Sequence, residues 1–509
     1  MLMKKLIAIL MLLSGATNAQ VFTQSVETLH QTAPVQSTRL WTQFGQNASH
    51  ASISNAPIAD LVAAMWVSDG NTQTQIIFLP QSGIVADNHA VYALGFNANG
   101  SSGDLLAAFD PQTGDLLWTA PIPIAIFDSW STPAIDQRQK TIFAASGSAI
   151  TAINTITGEQ RWQTIFDRPI VNASPIITTD LPMMNRLFIT DYAFGGAQTG
   201  QLYCINIDPF NPTTNPYQPG EIVWKTSLIG PTSGNTPAYS SGIVYTSTAG
   251  SSTNAGLVHA FDALSTTAPP PLWTITNPEP SGFFSGVSLA DGSLYASSYN
   301  FSTGQHNSNT IKVNTATGAL IWSTPSNRTD VSPIITNDGR VILSGGTQAG
   351  AFTFFGSIPS IQLFDSDGTL LWDSADETLD DANANGTYDP GETYLSLGGW
   401  THQPILVERN GATLLYVGTL ADPDQFGFFA PCSDLRLIDL DLLPTDSGFI
   451  IDHFPGAGTT PAVANGVLYA VGENGLHAFA QSSAETILNA YKDAGMTQKQ
   501  VKRRLKLTK

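Results

Sequence analysis

The chain has 509 residues, with 21 Lys and Arg against 40 Asp and Glu and a formal net charge of −19. Such acidity argues against nucleic acid as a partner, because phosphate binding needs clustered Lys and Arg; it favours solubility and says nothing about fold. Cys204 and Cys432 are the only cysteines, and without a CxxC, CxxCH or Cys/His cluster they exclude a cysteine-held metal and a covalently attached haem.

In chain order, the first element reads as an export signal. Lys4 and Lys5 precede an apolar run from Leu6 to Leu13, and Thr17-Asn18-Ala19 forms a small-residue cleavage site before Gln20. The run is far shorter than the roughly 20 residues of a membrane span, and no later segment supplies one. No cysteine follows it to take a lipid. The expectation is a signal peptide at 1–19 and a soluble, monomeric product in the periplasm or outside the cell.

Beyond a lead segment at 20–56, one unit recurs: an apolar strand, an Asp or Asn, a turn ending in Gly, and a Trp four residues after that Gly. The copies are Asp110-Pro-Gln-Thr-Gly114 to Trp118, Asn154-Thr-Ile-Thr-Gly158 to Trp162, Asn314-Thr-Ala-Thr-Gly318 to Trp322, and Asp365-Ser-Asp-Gly368 to Trp372. Looser copies carry Gly220 with Trp224, and Asp262 with Trp273. This is hairpin chemistry: Asp or Asn bonds the backbone ahead of it, and Gly takes the positive φ that closes the turn. A large flat ring in one fixed register reads as a wedge between neighbouring sheets rather than a substrate platform.

A second motif precedes most of these tryptophans by about 30 residues. It is Ser/Thr-Pro followed by a short apolar strand, as at Thr132-Pro133, Ser174-Pro175, Thr236-Pro237, Ser332-Pro333 and Thr460-Pro461, with Gln403-Pro404 as a variant. Pro is tolerated where a strand opens. Together the motifs make a strand–turn–strand–strand–turn–strand unit, the blade of an all-β propeller. Blades end at Trp118, Trp162, Trp224, Trp273, Trp322 and Trp372. A seventh spans about 401–452 with Asp452 where Trp is expected, and an eighth begins at Thr460 and stops one strand short, near Phe479. The strand from Leu61 to Trp66 has no blade of its own, so pairing it with 460–480 closes the ring and hides both edges. Eight blades of four strands over 57–482 is the expected count, with seven as its rival. Cys204 and Cys432 then lie four blades apart, too far to bridge unless a loop reaches over.

The Asp-Pro-x-Thr-Gly-x-x-x-Trp repeat resembles that of PQQ-type, quinoprotein-like β-propellers, and Trp41-Thr-Gln-Phe44-Gly-Gln-Asn-Ala-Ser-His50 is similar to the segment they carry before blade one. The resemblance covers roughly 41–480. It implies the propeller fold but not one function, because the family joins dehydrogenases using pyrroloquinoline quinone to scaffolds such as the outer-membrane β-barrel assembly lipoprotein. The enzymes' adjacent Cys-Cys pair, their calcium-binding Glu, Asn and Asp set, and the scaffold's lipidated cysteine all lack an obvious counterpart here.

Between Trp372 and Trp400 an acidic insert at 373–400 contains Asp381-Ala-Asn383-Ala-Asn385-Gly386-Thr387-Tyr-Asp389-Pro-Gly-Glu392. It fits the calcium-loop pattern D-x-[DN]-x-[DN]-G-x5-E at every defined position. Asp381, Asn383 and Asn385 would bind through side-chain oxygens, Thr387 through its carbonyl, Asp389 directly or by water, and Glu392 as the bidentate closer. No EF-hand helices flank it, which suits a calcium clamp in an extracellular module; an Asp/Asn/Gly-rich surface loop is the plainer alternative.

At the blade entrances Asp128, Trp130, Arg168, Asn172, Asn235, Phe283, Arg328, Asp330, Trp400 and His402 line the expected funnel. They would hold a protein or polar small-molecule ligand, or satisfy one another around a wet channel. The tail at 483–509 has helical spacing and seven basic residues from Lys492 on. It would touch a membrane surface or an acidic partner, dock on the chain's own acidic face, or stay disordered. The expected protein is an exported, non-enzymatic binding or scaffold module with a structural calcium loop; the alternative is an oxidoreductase using pyrroloquinoline quinone and calcium on an alcohol or sugar.

Overall fold

The computed structural model describes residues 40–68, 76–78, 83–97, 104–125, 131–194, 199–250, 255–301, 305–347, 357–385, 388–389, 391–409, 411–420, 432–472 and 475–481. All of them fall in one compact unit, Thr38–Lys509. The expected signal peptide, the basic tail, Asp128, Trp130, Gly386 and Thr387 lie outside the described residues.

Among the described residues eight antiparallel sheets follow one another around a ring, each built mainly from strands adjacent in sequence. Blade two shows the pattern. A short inner strand, Ala134–Asp136, is followed by Thr141–Ser146, Ala149–Asn154 and an outer strand, Gln160–Ile165. The middle strands are buried on both faces, because neighbouring blades pack against each side, so they read as Ile, Phe and Ala runs rather than alternating ones. The outer strand meets solvent and is mostly exposed.

The repeat motif explains how blades stack. In blade one the Asp110 carboxylate accepts the N–H of Gln112 and Thr113 at 2.8 and 3.0 Å, and Gly114 closes the turn with a φ of +76°. At five of the joints the tryptophan of one blade covers the turn glycine of the next. A Cβ on Gly158 would meet the Trp118 ring at 2.8 Å, and one on Gly368 would meet Trp322 at 2.9 Å. Indole N–H groups complete the wedge by donating to turn carbonyls, Trp118 to Thr155 at 3.1 Å and Trp273 to Thr315 at 2.9 Å. On its own blade the ring meets an aromatic from the second strand, as Trp162 meets Phe143 at 5.6 Å, except in blade six, where Trp372 meets Phe449 of blade seven at 5.8 Å.

The Ser/Thr-Pro motif does a second job at the inner edge. The N–H of Thr132 donates to Ser174 Oγ of the next blade at 2.8 Å, and that of Ser174 donates to Thr236 Oγ1 at 3.0 Å. The same latch joins Ser332 to Gln403 Oε1 at 2.9 Å and Gln403 to Thr460 Oγ1 at 3.1 Å. A side-chain acceptor at the start of four blades, Ser174, Thr236, Gln403 and Thr460, therefore ties blade to blade where Pro begins the inner strand.

Closure follows the expected pairing. Trp66–Ser68 forms the outer strand of blade eight, with Trp66 opposite Ala478 and Ser68 opposite Leu476. Blade seven has a fifth strand, Ile53–Ser54, running parallel to Ile405–Arg409 on its inner edge. The lead segment thus leaves the axis beside blade seven and reaches the rim on blade eight. It crosses between them where blade seven has lost its tryptophan. Asp452, in the tryptophan position, accepts the N–H of Leu61 at 2.9 Å, and Tyr416 donates its hydroxyl to the carbonyl of Ala59 at 2.9 Å. Ile58, Ala59 and Leu61 are buried there.

Candidate functional site

Loops joining second to third strands, and those joining an outer strand to the next inner strand, all emerge at one end of the ring. The acidic insert and the expected funnel residues belong to this end. The insert leaves blade six after Leu370–Asp373, makes a single 3-10 turn at Asp376–Thr378, and returns to Trp400 without a flanking α-helix among the described residues. Its base is held by Asp380 N–H to the carbonyl of Thr393 at 2.8 Å and by Leu395 N–H to Thr378 Oγ1 at 2.8 Å. Tyr388 and Tyr394 pack edge to face at 5.3 Å beside Ala375 and Ile358.

Five of the six predicted calcium ligands lie among the described residues, and their side chains turn toward one another. Asn383 and Asn385 donate their amides to Asp389 Oδ2 at 2.6 and 2.7 Å. The N–H of Asn385 points at Asp381 Oδ1 and Asn383 Oδ1, both at 3.1 Å. Glu392 accepts from Ala382 N through Oε1 and from Asp389 N through Oε2, each at 2.9 Å. Every acidic or carbonyl donor in this set is an oxygen, the ligand chemistry of a hard cation such as calcium.

The mouth is occupied mainly by aromatic rings. Phe194 meets Phe284 at 4.9 Å, Phe284 meets Tyr299 at 5.6 Å, and Tyr299 meets Phe301 at 4.9 Å and Trp400 at 5.8 Å. The Arg328 guanidinium lies 5.7 Å from the Tyr299 ring centre, and the whole side chain is buried. Asn235 spends its amide within the fold, donating to Ser247 Oγ at 2.9 Å and the carbonyl of Phe283 at 2.6 Å, and accepting from Ser233 N at 2.8 Å. Arg168 donates to the carbonyl of Thr199 at 2.7 Å and stands 3.5 Å from Asp191 Oδ2. Asn172 holds a left-handed φ of +62°. Burial pushes the carboxyl of Asp330 well above the usual carboxylate range, and it lowers the imidazole of His402 to about 3.

The axis holds what sequence reasoning missed. The lead segment lies along the inner strands and bonds to them in turn. Trp41 exchanges backbone bonds with Ala86 of blade one, and the carbonyl of Thr42 accepts Ile135 N of blade two at 2.8 Å. The Gln43 amide imitates a strand edge, donating to the carbonyl of Ile177 at 3.2 Å and accepting its N–H at 2.7 Å. Ala48, Ser49 and Ser52 then accept from Tyr239, Leu289 and Leu406 of blades four, five and seven at 2.7, 2.9 and 2.9 Å. His50 Nδ1 donates to the carbonyl of Val287 at 2.6 Å. Positive φ at Gln46, His50 and Ser52 aims successive groups at different blades, and those bonds hold the backbone there. The only signal in the sequence was a Trp-led segment ahead of blade one.

With a ring of eight blades in place, seven of them carrying the tryptophan wedge, comparison with known proteins places its fold. The model of a family described as the outer membrane protein assembly factor BamB matches residues 27–209. A quinohemoprotein alcohol dehydrogenase, ADHIIG from Pseudomonas putida HK5, superposes with a TM-score of 0.54 at 11% identity over 87% of this chain and 77% of that one. A europium-containing methanol dehydrogenase gives 0.54 at 10% over 86% and 91%, and the quinohemoprotein alcohol dehydrogenase from Comamonas testosteroni gives 0.53 at 11% over 90% and 83%. The chain has the β-propeller fold of these dehydrogenases. At these identities the solved structures speak for the fold, and no curated protein matches the sequence significantly.

Pyrroloquinoline quinone is a tricarboxylate that needs cations and a metal beside it. Among the described residues of this propeller, the mouth offers it little. Arg168 is turned to Asp191, Arg328 packs under Tyr299, and burial leaves His50 and His402 with lowered pKa values, so both are neutral near pH 7. The amide of Asn235 is already committed. Cys204 is a free thiol buried on the third strand of blade three, opposite Trp224, rather than at the mouth. These residues do not fit the quinone.

Proposed function

We propose that this protein is an exported, non-enzymatic PQQ-like propeller that acts as a binding or scaffold module, with calcium ordering the insert after blade six. The observation that carries the reading is the filled axis. The lead segment bonds to the inner strands of blades one to five and seven, and Phe194, Phe284, Tyr299, Phe301 and Trp400 occupy the mouth. A propeller whose channel is filled by its own chain works through its loops. The match of residues 27–209 to an outer-membrane assembly factor supports a protein partner in the cell envelope. No helix among the described residues is long and apolar enough to cross a membrane.

Calcium enters through the oxygen donors of Asp381, Asn383, Asn385, Asp389 and Glu392, with the carbonyl of Thr387 completing the set. Extracellular loops of this kind need only weak sites, because calcium is plentiful there. The test is capture of partners from the envelope fraction of the source by the immobilised protein, with calcium and with chelator. A partner held with calcium and released by chelation, or lost with Asp381→Ala, supports the reading. Dye-linked dehydrogenase turnover after loading with quinone and calcium overturns it.

A further inference from the structure

A second cluster of metal-ligating side chains lies at the base of the insert, away from the oxygen-only loop. His306 sits on the loop after the second strand of blade five, Asp373 ends the outer strand of blade six, and Asp376 opens the 3-10 turn that follows. His306 Nε2 lies 3.1 Å from Asp373 Oδ2 and 3.4 Å from Asp376 Oδ2, and all three atoms fall within 4.8 Å of one another. Ligands at about 2.05 Å from a tetrahedral ion stand about 3.3 Å apart, so the imidazole–carboxylate spacings are those of a shared metal.

The surroundings are built to hold this arrangement. The side chain of Asp373 is 1% exposed, and its Oδ2 accepts from Ser360 Oγ at 3.1 Å and Gln362 Nε2 at 3.0 Å, while Oδ1 accepts Ala375 N at 2.8 Å. Such contacts orient a carboxylate ligand from behind. His306 is placed from its neighbour. Gln305 clamps Ile358 of blade six from both sides, accepting its N–H at 2.9 Å and donating to its carbonyl at 3.3 Å. The blade-five loop is therefore fixed against blade six by contacts that do not involve His306. The side chains of His306 and Asp376 are 29% and 48% exposed, which leaves an approach from solvent and room for water as a further ligand.

We propose that His306, Asp373 and Asp376 form a binding site for a divalent transition-metal ion of the zinc or cobalt type, which ties blade five to the insert of blade six. One imidazole nitrogen with two carboxylates selects such an ion over calcium, which takes oxygen donors. The site is separate from the proposed calcium loop and does not rest on it.

The test is a titration of the metal-free full-length protein with Co2+ in about 1 mM calcium, enough to fill a weak extracellular-type oxygen loop, reading the visible absorption of ligated cobalt. A band that saturates at one Co2+ per chain and is displaced by Zn2+ is expected. His306→Ala and Asp376→Ala, both at solvent-accessible positions, weaken binding by at least about tenfold, and Asp381→Ala leaves the band in place. A wild type without the band, showing that the imidazole only bridges two carboxylates as a proton donor, overturns the proposal. So does a band that survives His306→Ala in a variant with unchanged circular dichroism, or one that is lost with Asp381→Ala.

Discussion

The indole of Trp66, on the strand that completes blade eight, lies over Gly114 in the turn of blade one and donates its N–H to the carbonyl of Pro111 at 3.1 Å. The first Trp-bearing strand of the chain thus wedges the last blade against the first, and the ring closes through the same contact that stacks its interior blades.

Trp66→Ala is expected to cost about 3 kcal/mol, as for truncation of a packed tryptophan. Trp66→Phe keeps a ring but loses the bond to Pro111, costing about 1 kcal/mol. The urea midpoint at constant slope measures both. Equal effects of the two substitutions would show that the indole does not work as a wedge.

Gly114 and Gly292 provide a matched pair. Both have left-handed φ, +76° and +70°, so alanine at either meets about 1 kcal/mol of backbone strain. A Cβ at Gly114 would also meet the Trp66 ring at 2.5 Å, while at Gly292 nothing lies within 4 Å. Gly114→Ala should therefore destabilise more than Gly292→Ala in the same unfolding assay. Equal losses would place the need for glycine in this turn in φ alone.

Blade seven departs from the repeat because the lead segment crosses it. Asp452→Ala removes the carboxylate that accepts Leu61 N–H, and a cost of about 1–3 kcal/mol is expected. Asp452→Trp, which restores the repeat, should also destabilise, since Ile58, Ala59 and Leu61 are packed at that interface. A stabilised Asp452→Trp variant would mean the crossing is not tightly packed.

Burial lowers the imidazole of His402 from 6.5 to about 3. Below pH 6.5 the unfolded chain takes up a proton that the folded chain refuses, so this contribution to stability is fully present above pH 6.5 and is lost as the pH falls toward 3. Asp330, whose carboxyl burial pushes up, acts with the opposite sign, so the informative quantity is a difference. His402→Gln keeps an acceptor for Gly418 N and should flatten the dependence of stability on pH between 6.5 and 4 by about 1.4 kcal/mol per unit. Parallel pH profiles for wild type and variant would contradict a neutral, buried His402.

Calcium at tenfold excess over its dissociation constant should stabilise the fold by about 1.4 kcal/mol. Differential scanning calorimetry should show a rise in melting temperature with calcium, a fall with chelator, and neither with Asp381→Ala. An unchanged wild-type melting temperature would leave the insert as a polar surface loop.

The blades were legible in the sequence because each is short and self-similar: Asp110, Gly114 and Trp118 mark a hairpin and its wedge within nine residues. The closing strand could be read because Trp66 repeated the signature without a blade to own it. The contents of the axis could not. Thr42, Ala48, Ser49 and Ser52 act through backbone carbonyls, which leave no trace in side-chain pattern. The Ser and Thr before the prolines were visible, but the role of Ser174 and Thr236 as acceptors for the neighbouring blade appears only when the blades are brought side by side. His306 and Asp373, 67 residues apart, meet for the same reason, through the stacking of two blades.

The central claim is that this propeller keeps the fold of quinoprotein dehydrogenases while filling its axis with its own lead segment. An absorbance titration of the purified protein with pyrroloquinoline quinone in saturating calcium tests it most directly. The account predicts the spectrum of free quinone at every ratio and no dye-linked reduction with alcohols or sugars. A saturable shift of the quinone band at one equivalent per chain, with turnover, would contradict it.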